Sequence, residues 1–284
     1  MFIEALQDAL LDSIKVFPFL FLACLFMEYI GHQTEKGYGK RIQRLEQYGP
    51  LFGGLLGILP QCGFSSAASG LYARRAITLG TLLSIYLSTS DEMLPILISR
   101  AASPILIVQI LSLKAFVGIV SGLLADSLIR RKSVGEELRW PHEKEHCRSC
   151  ERGGIWISSL RHSLSILLFL FVITSVLNYI ILYFGEERLA GLLLNRPVVG
   201  EALAGLIGLF PNCAASVLLT ELYLEGCMSF SAMMSGLFVG SGVGILVLFR
   251  ENRGRWKENI GILALLYGAG VTAGWLVLFV QQVF

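Results

Sequence analysis

The sequence predicts an all-α polytopic membrane protein, built as an inverted-topology internal repeat with broken or re-entrant helices in each half. Two observations support the membrane assignment. Of the 284 residues, 54% are hydrophobic and 15% are charged, whereas an ordinary soluble domain has about 25% charged residues. Several apolar stretches also approach or exceed the length of about 18 residues that a membrane-spanning helix needs. The clearest of these stretches are 13–30, 161–184, 229–249 and 259–280.

The third observation is that the chain repeats itself. Residues 53–72 and 204–223 align without a gap at an offset of 151, and eight of the twenty positions are identical. Two further pairs of segments match at nearly the same offset: 11–30 with 161–180, and 114–129 with 266–281. These matches divide the chain into a first half at 1–129, a linker at 130–160 and a second half at 161–284.

Lysine and arginine predict the orientation of the two halves. They are concentrated in 31–49, 130–160 and 250–258, and loops rich in these residues stay in the cytoplasm. Each half must then cross the membrane an odd number of times, so the halves are inverted and both termini lie outside. Three crossings with one re-entrant segment and five crossings with short broken helices both satisfy this count. The residues before 13–30 are acidic, which argues against a cleaved signal peptide.

Each copy of the repeat places a proline and a cysteine inside an apolar run. Pro60 and Pro211 should break their helices, so Cys62 and Cys213 are expected at or near the start of the next helical piece. A helix N-terminus lowers the pKa of a thiol, and thiolates select soft metal ions. Alternatively, the cysteines are small packing residues and the prolines are kinks. The amide and hydroxyl groups expected to complete a substrate-binding site are those of Gln61, Asn212, Ser65 and Ser216.

A second polar interruption lies at 88–92, where Asp91 and Glu92 are adjacent carboxylates in an apolar segment. Ionisable groups inside a membrane are costly and usually functional, so these two residues are candidates for coupling transport to protons. The alternative is that they lie at a water-facing end of the segment. The matching segment 240–243 lacks both acids but keeps the serine. The serines expected to bind substrate at the two interruptions are Ser90 and Ser241.

The polar linker contains a third candidate site. His142 and His146 are followed by Cys147 and Cys150. His-x3-His and Cys-x2-Cys are both spacings that allow two side chains to reach one zinc-like ion. The linker could therefore hold Zn or another soft metal ion, for capture or sensing on the cytosolic side. The alternative is a solvated charged linker with incidental cysteine and histidine.

The paired Pro-Gln-Cys-Gly and Pro-Asn-Cys-Ala motifs, the Ser-Thr-Ser-Asp-Glu segment and the His/Cys linker resemble those of the ten-span heavy-metal exporter family. The resemblance covers about 10–280 and implies ten transmembrane segments, which would select five crossings per half. Family members carry the labels arsenic efflux protein or manganese transporter. These labels predict different sites, because manganese prefers oxygen ligands whereas paired thiols prefer softer ions.

The sequence therefore predicts a secondary transporter of the cytoplasmic membrane that exports a heavy-metal or metalloid ion by alternating access. One alternative is a transporter of a small anion held at converging helix N-termini, and another is a membrane metal sensor. No enzymatic or nucleic-acid motif is recognised, no cofactor is required, and the expected partners are lipid and the transported solute. Gly118 and Gly122 could support a homodimer, although packing within the chain explains them better.

Overall fold

The computed structural model describes residues 48–58, 62–73, 75–90, 93–132, 198–211 and 213–283, with a few single positions elsewhere. The predicted helical class is confirmed, since the described residues form ten α-helices and no strand. In chain order these helices are α1 (Gly49–Gly57), α2 (Cys62–Ala73), α3 (Leu79–Ser88), α4 (Met93–Ser99), α5 (Pro104–Lys132), α6 (Val199–Gly208), α7 (Cys213–Leu224), α8 (Phe230–Val239), α9 (Gly244–Glu251) and α10 (Trp256–Val283).

Several described helices have the length and composition of membrane spans. The three long enough to cross a bilayer are Pro104–Leu128, Phe230–Glu251 and Trp256–Val283. Two of the four spans predicted from the sequence, 229–249 and 259–280, coincide with the last two of these. The other two, 13–30 and 161–184, lie outside the described residues except for a few single positions. The protein is therefore a helical membrane protein with several spans.

The proline-containing interruptions divide helices as the sequence predicts. Proline has no backbone N–H and disfavours helical geometry in the residue before it. Accordingly, α1 and α6 end before Pro60 and Pro211, and the next helices, α2 and α7, begin at Cys62 and Cys213. The prediction that each cysteine opens a helix is confirmed.

A second pair of interruptions lies further along the chain. The helices α3 and α4 are separated by 89–92, and α8 and α9 are separated by 240–243. Gly242 has a φ of 54°, which is the left-handed region that side chains with a Cβ atom rarely adopt. A glycine at this position therefore allows the chain to turn out of α8 and into α9.

Close contacts between helices depend on glycine in both halves. Gly118 and Gly122 of α5 face α3, and Gly270 and Gly274 of α10 face α8. A Cβ atom on Gly122 would lie 2.5 Å from the carbonyl oxygen of Gly80. Both glycine pairs are thus used for packing within the chain.

The helices of the two halves interleave. In the first half α1, α3 and α5 pack together, and in the second half α6, α8 and α10 do the same. However, α2 packs along α9, and α4 packs against α7. The centre of the described fold is formed by α3 and α8, in which every residue of 80–88 and 231–239 is buried. Both central helices end at an interruption, so broken backbone lies deep inside the protein.

Candidate functional site

A narrow cleft lies where three of these helix interruptions meet. Its walls come from the α3–α4 interruption, the α6–α7 interruption with the first turns of α7, and the α8–α9 interruption. It has room for about one water molecule. The residues that line it are Thr89, Ser90, Gly208, Phe210, Ala215, Ser216, Leu219, Gly236, Leu237, Gly240 and Gly242. Irregular backbone at membrane depth is tolerated where it is packed in protein or lines a cavity.

The polar groups of the cleft are mainly hydroxyls. Ser90 is 2% exposed and donates a hydrogen bond of 2.6 Å to the carbonyl oxygen of Ile58, at the end of α1. This bond joins the two interruptions of the first half. Ser241 lies between two cleft glycines and is 1% exposed, and its hydroxyl has no hydrogen-bond partner among the described residues. A buried hydroxyl without a partner is destabilising, so Ser241 is available to a bound solute.

Ser69 links α2 to the second half. Its buried hydroxyl lies 2.7 Å from the carbonyl oxygens of both Ser65 and Gly244, and 2.6 Å from the Tyr86 hydroxyl. Since a serine has one hydroxyl proton, that proton is shared between the two carbonyls while Tyr86 donates to Ser69. The backbone is close here as well, because a Cβ atom on Gly244 would lie 2.9 Å from the Cβ atom of Ser65.

We expect Ser69→Ala to lower the free energy of unfolding by about 1–3 kcal/mol, because Tyr86 and the Gly244 carbonyl each lose a buried hydrogen bond. The measurement is the thermal midpoint of the purified protein in detergent. Ser127→Ala is the matched control, since the Ser127 hydroxyl is exposed and bonds only to Leu124, one turn away. Equal midpoints for the two variants would contradict the expected role of Ser69.

The structure brings some of the predicted site residues together. Ser90 and Ser216 line the cleft, and Ser241 lies within the interruption that forms one wall. Ser65 is buried against Gly244 and does not line the cleft. The side chains of Cys62 and Cys213 lie outside the described residues, as do Gln61, Asn212, Asp91, Glu92, His142, His146, Cys147 and Cys150. Within the described part of the chain, no group of three or more His, Cys, Asp or Glu side chains could hold a metal ion.

Sequence reasoning missed Lys114. This lysine lies in the long apolar helix α5 and is 1% exposed. Its ammonium donates a hydrogen bond to the carbonyl oxygen of Leu237, a cleft residue, and lies 5.8 Å from the centre of the Phe238 ring. The available signal was a lysine inside the apolar stretch 104–125, because a charged residue in such a stretch is a functional candidate by itself. Only the packing of the two halves reveals its contact.

Broken helices that meet deep within a bundle of spans are typical of the substrate sites of membrane transporters. Comparison with protein families matches residues 1–186 to ArsP_2, described as "Putative, 10TM heavy-metal exporter". The match covers more than half of the chain, which therefore belongs to this family and lies in a membrane. Neither a comparison with curated proteins nor one with solved structures gives a match.

Proposed function

We propose that the protein is a secondary transporter of the cytoplasmic membrane that exports a heavy-metal or metalloid ion by alternating access. The family description supports a heavy-metal exporter. The observation that carries the proposal is the cleft at which interruptions from both halves meet. Half-helix ends present backbone N–H and C=O groups that can replace the water around an ion.

Contacts within the first half support a re-entrant segment. Gly49 lies beside Thr81 and Gly57 lies beside Ser88, so α1 runs parallel to α3 and begins on the same side of the membrane. A short turn leads from the end of α2 at Ala73 to the start of α3. The α1–α2 segment therefore enters and leaves on one side. In this arrangement each half crosses the membrane three times. The two helices of the re-entrant segment do not cross, but they bring the number of apolar helical segments to five per half.

Matched hydrogen bonds support a structural repeat. Ser84 donates to the carbonyl oxygen of Pro50 at 2.6 Å, and Ser235 donates to that of Glu201 at 2.7 Å. Ser235 follows Ser84 by 151 residues, and Glu201 follows Pro50 by the same number. This is the offset that relates Cys213 to Cys62. Thus α6 and α8 are arranged like α1 and α3, which favours a second re-entrant segment formed by α6 and α7.

Two ion pairs between the halves support the inverted orientation. Arg75, in the turn before α3, pairs at 2.8 Å with Glu258, in the first turn of α10 and so near the end of α9. Arg100, just after α4, pairs at 3.0 Å with Glu221, in the last turn of α7, from which a short turn leads to the start of α8. The α3–α4 segment therefore begins where α8–α9 ends, and the two run in opposite directions. With 31–49, 130–160 and 250–258 in the cytoplasm, the Arg75–Glu258 pair is on the cytoplasmic side.

In this arrangement the re-entrant tips bring Cys62 and Cys213 towards each other from opposite sides of the membrane. We propose that the two thiolates bind a soft ion. Asp91 or Glu92 would couple its movement to protons. The neutral oxygen and amide groups proposed to complete the site are those of Gln61, Asn212, Ser65, Ser216, Ser90 and Ser241.

The linker is proposed as a separate cytosolic metal site. His142, His146, Cys147 and Cys150 provide two imidazoles and two thiols, which suit tetrahedral Zn²⁺. Such a site would capture the ion before export. Export itself does not depend on it in this proposal.

Flux into proteoliposomes tests the proposed function. The purified full chain is reconstituted and supplied separately with Cd²⁺, Zn²⁺, arsenite, Mn²⁺ and sulfate under an imposed pH gradient. We expect uptake of the soft metal or metalloid species above that of empty liposomes, with Mn²⁺ transported less because it prefers oxygen ligands. Absence of uptake for every ion would contradict the proposal.

A small anion is the second candidate substrate. It is favoured by the start of α7 beside the cleft, and by the buried hydroxyl of Ser241, which has no hydrogen-bond partner among the described residues. Helix N-termini and hydroxyl donors suit negative charge. Sulfate uptake without metal uptake in the same liposomes would select this candidate.

A further inference from the structure

In the proposed orientation, two seams between the halves lead from the cleft towards opposite sides of the membrane. The cytoplasmic seam is the contact of α2 with α9, and the external seam is the contact of α4 with α7. We propose that these seams are the two gates of the transporter, and that Tyr72, Arg75 and Glu258 hold the cytoplasmic gate closed more firmly than Arg100 and Glu221 hold the external gate. This inference rests on the proposed function and adds to it the residues that decide which side is open.

The two helices of the cytoplasmic seam run side by side in the same direction. At the deep end of the seam, the Ser69 hydroxyl lies 2.7 Å from the carbonyl oxygen of Gly244. Gly244 directly follows the interruption at 240–243, which forms one wall of the cleft. At the other end of the seam, Arg75, just beyond α2, pairs with Glu258. Separation of α2 from α9 would therefore open a path between the cleft and the cytoplasmic side.

The external seam has a matching course in the other direction. The helix α4 begins directly after the cleft interruption at 89–92, and the first turns of α7 line the same cleft. At the far ends of these two helices, Arg100 pairs with Glu221 at 3.0 Å. Each seam thus starts at the cleft and ends at an ion pair between the halves. Movement of one half against the other, as in alternating access, can open one seam while it closes the second.

Glu258 is the centre of the network that closes the cytoplasmic seam. Its carboxylate accepts a hydrogen bond of 2.5 Å from the Tyr72 hydroxyl and one of 2.8 Å from Arg75, and Arg255 lies 4.0 Å from the same carboxylate. Arg75 also donates to the Tyr72 hydroxyl at 3.3 Å and lies 5.2 Å from the centre of the Tyr72 ring. Hydrogen bonds to an ionised group are stronger than those between neutral groups, so α2 is held firmly to Glu258.

A buried pair of asparagines fixes Glu258 relative to α9. Glu258 belongs to α10, and the turn before it follows α9. The side chain of Asn252 in this turn donates to the side-chain oxygen of Asn259 at 2.7 Å, and Asn259 donates to the carbonyl oxygen of Asn252 at 3.3 Å. Both asparagines are buried. The end of α9 and the start of α10 therefore move together, and a bond from α2 to Glu258 also holds α2 against α9.

The two ion pairs differ in exposure and in their number of partners. The side chains of Arg75 and Glu258 are 36% and 28% exposed, whereas those of Arg100 and Glu221 are 57% and 40% exposed. Exposed ion pairs are screened by water and salt and contribute little. Among the described residues, Arg100 is the one partner of the Glu221 carboxylate, whereas the Glu258 carboxylate has three. The cytoplasmic gate should therefore be the harder one to open.

The repeat indicates that Arg75 is used for its side chain. Arg75 has a φ of 61°, and it ends α2 in a left-handed turn in which the N–H of Ala76 donates to the carbonyl oxygen of Leu71. Glycine usually occupies such a position. The helix α7 ends in the same way, and there the residue 151 positions after Arg75 is Gly226, with a φ of 75°. An arginine is strained in this conformation, and its bond to Glu258 gives a reason for its presence.

Hydrogen–deuterium exchange tests the two gates. The purified full chain in lipid nanodiscs is compared with Glu258→Gln, and mass spectrometry follows exchange in the cytoplasmic seam (62–73 and 244–251) and in the external seam (93–99 and 213–224). We expect exchange in the cytoplasmic seam to rise about three- to ten-fold, because hydrogen bonds to a partly exposed charge are weakened. Exchange in the external seam should fall, because a shift towards one open state depletes the other.

The external pair provides the reciprocal experiment. Arg100→Gln should raise exchange in the external seam about two-fold, as expected for an exposed ion pair, and lower exchange in the cytoplasmic seam. Lys257→Gln is the control, because it removes an exposed charge next to Glu258 and should match the wild type in both seams. A rise confined to the seam that carries the substitution would assign the ion pairs to local stability and overturn the proposal. A rise in both seams, or in neither, would also overturn it.

Uptake of Cd²⁺ into proteoliposomes tests the consequence for transport. Glu258→Arg places an arginine beside Arg75 and Arg255, and like charges repel, so the cytoplasmic gate should no longer close. The initial rate should then fall at least about three-fold, since one state of the cycle is depleted. Adding Arg75→Glu restores a pair of opposite charges and should recover most of the rate. A double variant as slow as Glu258→Arg alone would contradict a gate formed by this pair.

The exchange experiment requires no transported ion, which separates the gates from the proposed function. If the seams respond reciprocally but the wild type transports no ion of the panel, the two gates are supported and the proposed function is wrong. If the wild type transports an ion but the seams do not respond reciprocally, the gates are wrong. Gel filtration and the helical circular dichroism signal establish that each variant is folded. Should Glu258→Gln fail to fold, Arg75→Gln removes the same pair from the side of α2 and takes its place.

Discussion

Replacing Cys62 and Cys213 together by serine is expected to reduce soft-metal transport to the level of empty liposomes. Serine is close to cysteine in size but presents a hard hydroxyl oxygen, which binds Cd²⁺ and trivalent arsenic far more weakly than a thiolate does. Both cysteines open a helix after a proline-containing interruption, so their exchange should leave the fold intact. The measurement is the initial rate of Cd²⁺ uptake into proteoliposomes under a pH gradient.

Cys227→Ser is the matched control for this double variant. Cys227 is an exposed free cysteine in the turn between α7 and α8, so its loss should leave uptake unchanged. Full uptake by the double variant would remove both cysteines as ligands, and labelling that finds both thiols facing lipid would have the same consequence. Loss of uptake in the Cys227 variant would indicate general sensitivity to serine substitution.

Gly208→Ala should produce the largest loss of stability among single glycine substitutions at the cleft. A Cβ atom at this position would collide with the carbonyl oxygen of Gly236, and backbone cannot rotate away as a flexible side chain can. Overpacking of a buried contact costs about 1–3 kcal/mol. Because both glycines line the cleft, forcing α6 away from α8 should also reduce transport. The thermal midpoint in detergent and the flux assay measure the two effects.

Gly261→Ala is the control for Gly208→Ala, because this substitution is expected to cause no loss of stability. A Cβ atom on this exposed α10 residue would meet nothing within 4 Å, and replacing a glycine within a helix by alanine is stabilising by about 0.5–1 kcal/mol. Its midpoint should therefore equal or exceed that of the wild type. A Gly208 variant as stable as the Gly261 variant would mean that α6 and α8 are not held together as closely as the structure has them.

The positions of the helix starts could be predicted because they depend on local chemistry. Pro60 and Pro211 stop a helix wherever they occur within it, and the following cysteines then open the next one. That the matched interruptions at 89–92 and 240–243 share one cleft was partly predictable from the repeat, whereas the presence of Ser216 in the same cleft was not, because its interruption is matched to a different one. Charge counting alone could not choose between re-entrant and crossing segments, since both arrangements satisfy the same parity.

The remaining features depend on contacts between residues far apart in the chain. The hydrogen bond of Ser69 to the Gly244 carbonyl spans 175 positions, and that of Lys114 to the Leu237 carbonyl spans 123. No local pattern marks Leu237 or Gly244 as acceptors, because their carbonyls are exposed only by the way in which α8 ends and α9 begins. Sequence reasoning could name Lys114 as unusual but could not identify its partner.

The crosswise packing of α2 on α9 and of α4 on α7 has a consequence for the origin of the protein. In the proposed inverted repeat, each half covers helices of the other, so neither half could bury all of its helices alone. Before the duplication, the same contacts would have joined two separate copies inserted in opposite directions, so the ancestral protein would have worked as an antiparallel pair. In that case, fusion through the linker would have allowed each half to change independently, and a charge carried by only one half, as at Lys114, would be a change that two identical copies could not make.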